Sequence, residues 1–445
     1  MATLYVYADD AAATAAGKNA GEYYTSIQTA VKAAADGDTI EIAAGTYDEK
    51  ISLTSTELAT AKALTISGDN AGDVYVLGGI TIGDYTKELH GEGNTEKTTG
   101  ALNWNAALTV ENIIFQMADK DDRVVISFSA GGEIDFVSCA FIAPDDIDGW
   151  NPVDVPNSKT NNGGVAAVDF EECKFENGTL NLYGGKDYDF IGCEFTNARI
   201  NKQNPGGELT ITDTTFTNTI KADDVDDSFY CVRSDDIAVV IKDSTFNIDV
   251  DENVTADIAN QEKWGILWQR KEGNTGWTVN DIEVNLSDAA EESGLLLNKN
   301  DTTSAENEAD RITINGLTST DNDVADLLAK TGGTMVVVET NDDGAVIYTS
   351  TYANGVKVAT VASDICFIVD QSITADNGET VVINGITYTV GKNAFTTISG
   401  AVAAAQDGAT IEICSDIEYD AQAVIDVNKK ITICGAETQD SKKYS

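Results

Sequence analysis

A phenylalanine recurs at the end of six short segments of this chain, and the spacing of these rings constrains the fold more than any other feature. A small or apolar residue stands two positions before each ring, which places both side chains on one face of a short strand. Successive rings lie about 20 to 35 residues apart, the length of one solenoid coil with a loop of variable size. We therefore predict stacked coils in which each ring lies on the ring of the next coil. The six rings are Phe115, Phe141, Phe175, Phe195, Phe216 and Phe246.

The most regular coils carry a longer alternating motif. It reads Ile191, Cys193, Phe195 and Asn197 in one coil and Cys173, Phe175 and Asn177 in another. This motif resembles the coils of the pectin-lyase-like superfamily over about residues 24–318. The resemblance implies an all-β chain folded as a right-handed parallel β-helix, and it extends to repeat-containing, adhesin-like surface proteins of bacteria or archaea. Stacking would also bring Cys139, Cys173 and Cys193 together as a row of free, inert thiols.

A helix is predicted to cap the first coil, because residues 26–35 combine helical propensity with one apolar face and a strand follows at once. The same sequence returns at residues 395–413, which align without a gap with residues 24–42. Between the two copies, short turn sequences that separate apolar segments predict β-hairpins. We predict four segments: an N-terminal strand and lead-in at 1–23, the capped β-helix at 24–320, a small β-rich closing section at 321–392, and a repeat of the cap and first coil at 393–445.

Charge limits the partners of the chain. It has 74 acidic and 28 basic residues, for a formal net charge of −46. Such a field repels nucleic-acid phosphates and anionic lipid head groups, so we expect neither nucleic-acid binding nor binding to a membrane surface. No segment approaches the ~18 apolar residues that span a bilayer. Together with the family resemblance, this composition favours an extracellular or cell-surface location.

The acidic residues concentrate in two loops that are candidate Ca²⁺ sites, since carboxylate oxygens are the ligands that this ion prefers. The alternative is that both loops are solvated and serve only solubility. Calcium is the one cofactor that the sequence suggests. The candidate ligands are Asp145, Asp146 and Asp148 in the first loop and Asp223, Asp224, Asp226 and Asp227 in the second.

Enzymes on this fold supply the alternative function, a Ca²⁺-dependent polysaccharide lyase or a glycoside hydrolase. A lyase needs a Lys or Arg base beside the metal, and Lys221 and Arg233 flank the second acidic loop. The one histidine, His90, stands in a polar loop, and the Gly-His-Gly segment of polygalacturonase-like enzymes is not matched. No catalytic residue is therefore assigned.

Tryptophans offer a candidate carbohydrate site. Trp264 and Trp268 lie on one face of a predicted strand, and Trp277 follows one turn later. If these rings point outward, they form a platform for sugars. If they point inward, they fill the core of the solenoid.

The repeated cap predicts an assembly surface, because its last strands begin a coil stack that needs further coils to bury its apolar side chains. The apolar residues concerned are Ile411, Ile413, Ile431 and Ile433. They would contact another copy of the chain, or neighbouring repeats of a longer tandem array. The favoured hypothesis is a non-catalytic structural or adhesive surface protein that assembles into filaments or a lattice, with a polysaccharide as a further candidate partner.

The two acidic loops generate a stability prediction. If they bind Ca²⁺ in the native state, millimolar Ca²⁺ will raise the melting temperature above the value in EDTA, because a ligand of the native state stabilises it. Scanning calorimetry measures the shift, and Mg²⁺ at equal concentration controls for charge screening. Equal melting temperatures in Ca²⁺, Mg²⁺ and EDTA would leave the carboxylates a role in solubility alone.

Overall fold

The fold is seen in a computed structural model of the 445-residue chain. It describes residues 1–84, 104–126, 131–144, 151–155, 167–183, 186–203, 206–221, 229–235, 237–254, 265–270, 277–300, 312–340, 345–415, 427 and 429–435. The helices in these ranges are α1 Asp10–Ala15, α2 Ile27–Ala33, α3 Asp288–Glu292, α4 Val324–Ala329 and α5 Ile398–Ala404. None of these described helices has the length and apolar character needed to cross a membrane.

Strands make up most of the described chain. The first group is β1 Thr3–Val6, β2 Asp38–Ile42, β3 Gly45–Tyr47, β4 Ile51–Leu53, β5 Leu64–Gly68, β6 Val74–Val76, β7 Ile80–Ile82, β8 Leu108–Glu111, β9 Ile114–Gln116, β10 Val124–Ile126, β11 Ile134–Val137, β12 Ala140–Ile142, β13 Val153–Val155, β14 Val168–Glu171, β15 Lys174–Tyr183, β16 Tyr188–Ile191, β17 Glu194–Gln203, β18 Glu208–Thr212, β19 Thr215–Ile220, β20 Val232–Asp235, β21 Ala238–Lys242, β22 Thr245–Val250, β23 Leu267–Arg270, β24 Trp277–Leu286 and β25 Asn298–Asn300. The second group is β26 Ile312–Thr318, β27 Thr334–Thr340, β28 Val346–Ala353, β29 Val356–Ala362, β30 Cys366–Val369, β31 Thr380–Ile383, β32 Ile386–Thr389, β33 Ala394–Phe395, β34 Thr410–Ile413 and β35 Thr432–Gly435.

The first group of strands forms three columns, in which every neighbouring pair is parallel. One column runs β1, β2, β5, β8, β11, β14, β16, β18, β21, β24. The second runs β3, β6, β9, β12, β15, β17, β19, β22, β24. The third runs β4, β7, β10, β13, β15, β17, β20, β23, β25. Stacked coils with three parallel columns are a parallel β-helix, so the predicted fold is confirmed.

The predicted row of phenylalanines fills the interior of this helix. The centroids of the six rings are 5.6, 4.9, 4.5, 4.5 and 5.0 Å apart from one coil to the next. A second row, formed by Phe136, Phe170 and Phe190, stacks at 5.2 and 4.8 Å. The two rows meet edge to face, as aromatic quadrupoles prefer, with Phe136 at 5.4 Å from Phe141. The solenoid core is therefore an aromatic stack two rings wide.

Between β8 and β22, a single left-handed residue turns each coil from the first column into the second. Asn112 has φ +58° between β8 and β9, and Asp213 has φ +51° between β18 and β19. Asn and Asp tolerate this conformation better than other residues with a Cβ atom. The other corners of this kind are Ser138, Glu172, Gly192 and Asp243. Because these six turns have the same length, the strands on both sides keep the same register in these coils.

The described chain divides into two compact units. One comprises Met1–Ile312 and Thr318–Gly333, and the other comprises Thr313–Leu317 and Thr334–Ser445. In the second unit, β27, β28 and β29 form an antiparallel meander, and β31 and β32 form a hairpin. A separate parallel sheet has the order β33, β30, β34, β35, and α5 packs against it. This sheet is the predicted opening of a second β-helix.

The aromatic stack makes Phe195→Ala a direct test of the core. Phe195 is 1% exposed and lies 4.5 Å from the rings of both Phe175 and Phe216, so its removal leaves a cavity. We expect a loss of about 3–5 kcal/mol in the free energy of unfolding, measured by urea denaturation. Val382→Ala, at a valine that is 69% exposed, is the control. A loss below about 1 kcal/mol would mean that this ring does not carry the core.

Candidate functional site

The two loops predicted to bind calcium lie outside the described residues. This holds for Asp145, Asp146 and Asp148 and for Asp223, Asp224, Asp226 and Asp227. His90 and Trp264 also lie outside them. Across the ranges that are described, no group of three or more His, Cys, Asp or Glu side chains is arranged to hold a metal ion. Calcium binding by the two loops stays a prediction.

The other two tryptophans of the candidate carbohydrate site are buried. Trp268 in β23 is 4% exposed, and the guanidinium carbon of Arg233 lies 4.7 Å from its ring centroid. Trp277 in β24 is 1% exposed, and its indole Nε1 donates a hydrogen bond to Ser234 Oγ at 3.1 Å. Trp277 points into the core of the solenoid, in the row of Val239. Trp268 is buried on the opposite face of its strand from Leu267, which is in the core row. Trp268 and Trp277 do not form an open platform for sugars.

Arg233 and Trp268 belong to a polar row that sequence reasoning missed. They are register partners on β20 and β23, and Asn201 is the partner of Arg233 on β17. The amide nitrogen of Asn201 donates to Asn181 Oδ1 at 3.0 Å, which extends the row to β15. The sequence signal was an Asn at the same register position in two successive coils. Hydrogen bonds between stacked amides link these coils in addition to the backbone ladder.

Three aspartates form a second ladder, on the outer face of the first column. Asp135, Asp169 and Asp189 are register partners on β11, β14 and β16. Burial, and after it the nearby charges of Asp189, Asp135, Glu133 and Asp187, raise the pKa of Asp169 to about 6. Burial is also the main cause of the raised pKa of Asp135. Among the described residues, Asp169 Oδ1 is buried without a hydrogen-bond partner. The ladder is therefore a place where like charges destabilise the fold at neutral pH.

A buried lysine is a second perturbed group that the sequence did not reveal. Lys202 in β17 is fully buried, and its Nζ donates to the carbonyl of Gly206 at 3.2 Å. The ammonium lies 5.3 Å from the ring centroid of Tyr188. Burial lowers the pKa of Lys202 to about 8. Its long side chain replaces an apolar residue in an inward position, which periodicity alone would assign to the core.

The predicted row of cysteines is present, and its thiols are in an environment that makes them unreactive. Cys139 donates its S–H to the carbonyl of Val110 at 3.4 Å, and Cys173 donates to the carbonyl of Phe136 at 3.3 Å. Cys193 makes the same contact with Phe170. Burial raises the pKa of the Cys173 and Cys193 thiols, so both stay protonated at neutral pH. Reactivity needs the thiolate, and this row therefore serves packing.

The two caps share their contacts as well as their sequence. We define the first cap module as β1, α2, β2 and β5, and the second as β30, α5, β34 and β35. Ser26 caps the N-terminus of α2 by accepting from Thr29 N, and Thr397 caps α5 by accepting from Gly400 N. Each module also has a lysine that donates to three carbonyls at the end of its helix. Lys62 contacts Val31, Lys32 and Ala34, and Lys429 contacts the equivalent Val402, Ala403 and Ala405.

The predicted assembly residues lie in the second cap module, and their exposure increases toward its last strand. Ile411 in β34 is fully buried, whereas Ile413 and Ile431 are half-buried. Ile433 in β35 is 40% exposed. In the described part of the chain, β35 pairs with β34 on one side and has no strand on the other. The arrangement can bind an extended segment by strand addition.

Comparisons with known proteins find distant structural similarity alone. No protein-family model matches the chain, and no curated protein matches it. A pectin methylesterase solved with a hexasaccharide is 10% identical, with a TM-score of 0.34 over 77% of this chain and 93% of that chain. The pectin methylesterase from Erwinia chrysanthemi is also 10% identical, with a TM-score of 0.27 over 72% of this chain and 90% of that chain. At this identity and TM-score, neither structure assigns a family or an activity to this chain.

The aspartate ladder predicts how stability depends on pH. The pKa of Asp169 is about 6 in the folded chain and about 3.9 in an unfolded one, so folding favours the protonated form. The ladder therefore lowers the free energy of unfolding least below pH ~4, where Asp169 is protonated in both states. The reduction reaches its full size above pH ~6, where Asp169 is ionised in both states. Asp169→Asn should raise the free energy of unfolding at pH 8 by on the order of 1 kcal/mol, since solvent screens part of the repulsion.

Urea denaturation at pH 8 and at pH 4 measures this effect. The gain should shrink toward zero at pH 4, where Asp169 is protonated in the wild-type fold. Glu176→Gln removes an exposed carboxylate from β15 in the same coil, and it controls for the general effect of lowering the net charge. An equal gain at both pH values, or an equal gain in the control, would contradict the proposed repulsion.

Proposed function

We propose that this protein is a non-catalytic structural or adhesive component of a cell surface that assembles with further copies through its terminal modules. One observation carries the proposal. Among the described residues, the last strand of the second cap module pairs on one side and carries an exposed isoleucine, whereas the equivalent strand of the first module is covered by the next coil. An apolar edge of this kind supports association with another chain.

The solenoid supports a structural role because its stability is distributed along its length. Neighbouring coils are joined by parallel pairings in three columns, and the coils from Phe115 to Phe246 are joined also by the aromatic stack. The body should therefore resist bending at any single coil. Such a body is suited to hold binding or assembly modules apart. The cap modules would then carry the function, and the β-helix would serve as a rigid support.

Charge supports an extracellular setting and gives the assembly a dependence on salt. Two copies with a net charge of −46 repel each other at low ionic strength. Salt screens this repulsion but leaves apolar contacts at β35 intact. Association should therefore be weak at low salt and increase as salt is added, the opposite of assembly through ion pairs.

Sedimentation velocity of the intact chain tests the proposal, with electron microscopy of the same samples to identify filaments or lattices. We expect reversible association at high concentration that increases with NaCl. Ile433→Asp should abolish it, because the substitution places a charge at the exposed apolar position. Val382→Asp introduces the same charge at an exposed valine of β31 and should leave association unchanged. A wild-type chain that stays monomeric at every concentration and salt level would contradict the proposal.

A further inference from the structure

We infer that an open groove on the first cap module binds a neutral saccharide. The groove lies at the carboxyl ends of β1, β2 and β5, on the outer face of the first column, and its volume is about 340 Å³. Sites for small ligands measure about 300–1,000 Å³. The inference goes beyond the proposed function, because it concerns a ligand of another class and does not require the chain to associate with itself.

Two half-buried tyrosines line one side of the groove. Tyr5 and Tyr7 stand at alternate positions at the end of β1, which places both side chains on the outer face of the column. The ammonium of Lys18 lies 3.4 Å from the ring centroid of Tyr5, and the ring of Tyr23 meets that of Tyr7 edge to face at 6.0 Å. Rings held by such contacts lose little conformational entropy when a ligand packs against them.

Polar side chains line the rest of the groove. Glu41 of β2 and Ser67 of β5 are register partners, and Asp69 and Asn70 follow in the turn after β5. Glu41, Asp69 and Asn70 are exposed. The backbone N–H of Ala71 donates to Asp69 Oδ1 at 2.8 Å, which orients this carboxylate and leaves Oδ2 to accept from a ligand. The groove therefore offers carboxylate acceptors, an amide and a hydroxyl beside two aromatic rings.

The second cap module shows that the fold of a cap does not require these tyrosines. The matching register of the two modules places Ile368 at the position of Tyr5 and Asp370 at the position of Tyr7. Ile368 is 1% exposed, because the hairpin of β31 and β32 closes this face and Tyr388 packs in the same cluster. In the first module the equivalent face is an open groove. A ligand that packs on aromatic rings accounts for the two tyrosines there.

These groups together favour an uncharged ligand that is rich in hydroxyls. One face of a pyranose ring carries C–H groups that pack on an aromatic ring, and its hydroxyls hydrogen-bond to carboxylates and amides. Glu41 and Asp69 would repel the carboxylate of an acidic sugar, and the net charge of −46 adds to this repulsion. A neutral saccharide fits both conditions. The alternative is a cationic ligand, whose binding would weaken as salt is added.

Saturation-transfer NMR on the intact chain tests the site with neutral oligosaccharides, namely maltotetraose, cellotetraose, mannotetraose and N-acetylated chitotetraose. We expect transfer to at least one of these probes, strongest at the C–H protons that pack on the tyrosines. Isothermal titration calorimetry then measures the affinity, which should stay unchanged as NaCl is added because the probe carries no charge. Tetragalacturonate, a probe of similar size with carboxylates, should bind about tenfold more weakly or less.

Variants at both sides of the groove locate the binding site. Tyr7→Asp should weaken binding of the neutral probe by about tenfold or more, and Asp370 at the equivalent position shows that a cap accommodates this residue. Tyr7→Phe keeps the ring and should bind as the wild type does. Asn70→Ala removes a polar contact and should also weaken binding. Tyr75→Asp places the same charge at a half-buried tyrosine of β6 outside the groove, and this control should leave binding unchanged. Circular dichroism and melting curves establish that each variant is folded.

The outcomes separate this inference from the assembly proposal. Absence of transfer to every neutral probe, wild-type affinity in both the Tyr7→Asp and Asn70→Ala variants, or tighter binding of tetragalacturonate would overturn the inference, even if the chain self-associates. Transfer to spermidine in place of the sugars would also overturn it and would assign the groove to cations. Binding of a neutral probe that is lost in the Tyr7→Asp variant would support the inference, even if the chain is a monomer.

Discussion

In-register stacking of like residues between parallel coils is the interaction on which this structure depends. Parallel strands pair residue with residue, so the side chain at one position lies on the side chain at the same position of the next coil. For phenylalanine this gives two interlocked rows of rings at 4.5 to 5.6 Å. From Asn112 to Asp243, the left-handed corners preserve the register, because they give these coils the same turn between their first two strands.

The same stacking has different consequences for different side chains. Thiols in the row of Cys173 donate hydrogen bonds to carbonyls of the preceding coil and stay protonated. Amides of Asn181 and Asn201 bond to each other. Aspartates placed in register repel, and this repulsion adds to burial in raising the pKa of Asp169 to about 6. One geometric rule thus produces a stable core, an inert thiol row and a pH-sensitive ladder on the same solenoid.

The duplicated cap shows how a solenoid end is built and what it leaves open. A short helix covers the first strand pair, and a lysine on the following segment binds the free carbonyls at the end of that helix. These local contacts are complete in both modules. Coverage of the third strand is not local, because it comes from the next coil. Ile66 has that coil and Ile433 lacks one in the described residues, and this difference makes β35 the candidate site for a partner.

The sequence by itself determined the features that depend on local periodicity. Alternating apolar residues, the recurrent Phe and the repeated cap predicted a capped parallel β-helix and the start of a second one, because strand alternation and helix capping are encoded within a few residues. Tertiary structure decided what depends on register across loops of unequal length. The stacking of Asp135, Asp169 and Asp189, the burial of Trp268 and Trp277, and the exposure of Ile433 all follow from which coil lies against which. A residue pattern within one coil specifies the face of a strand, but the neighbour on that face comes from another coil, and only the assembled solenoid identifies it.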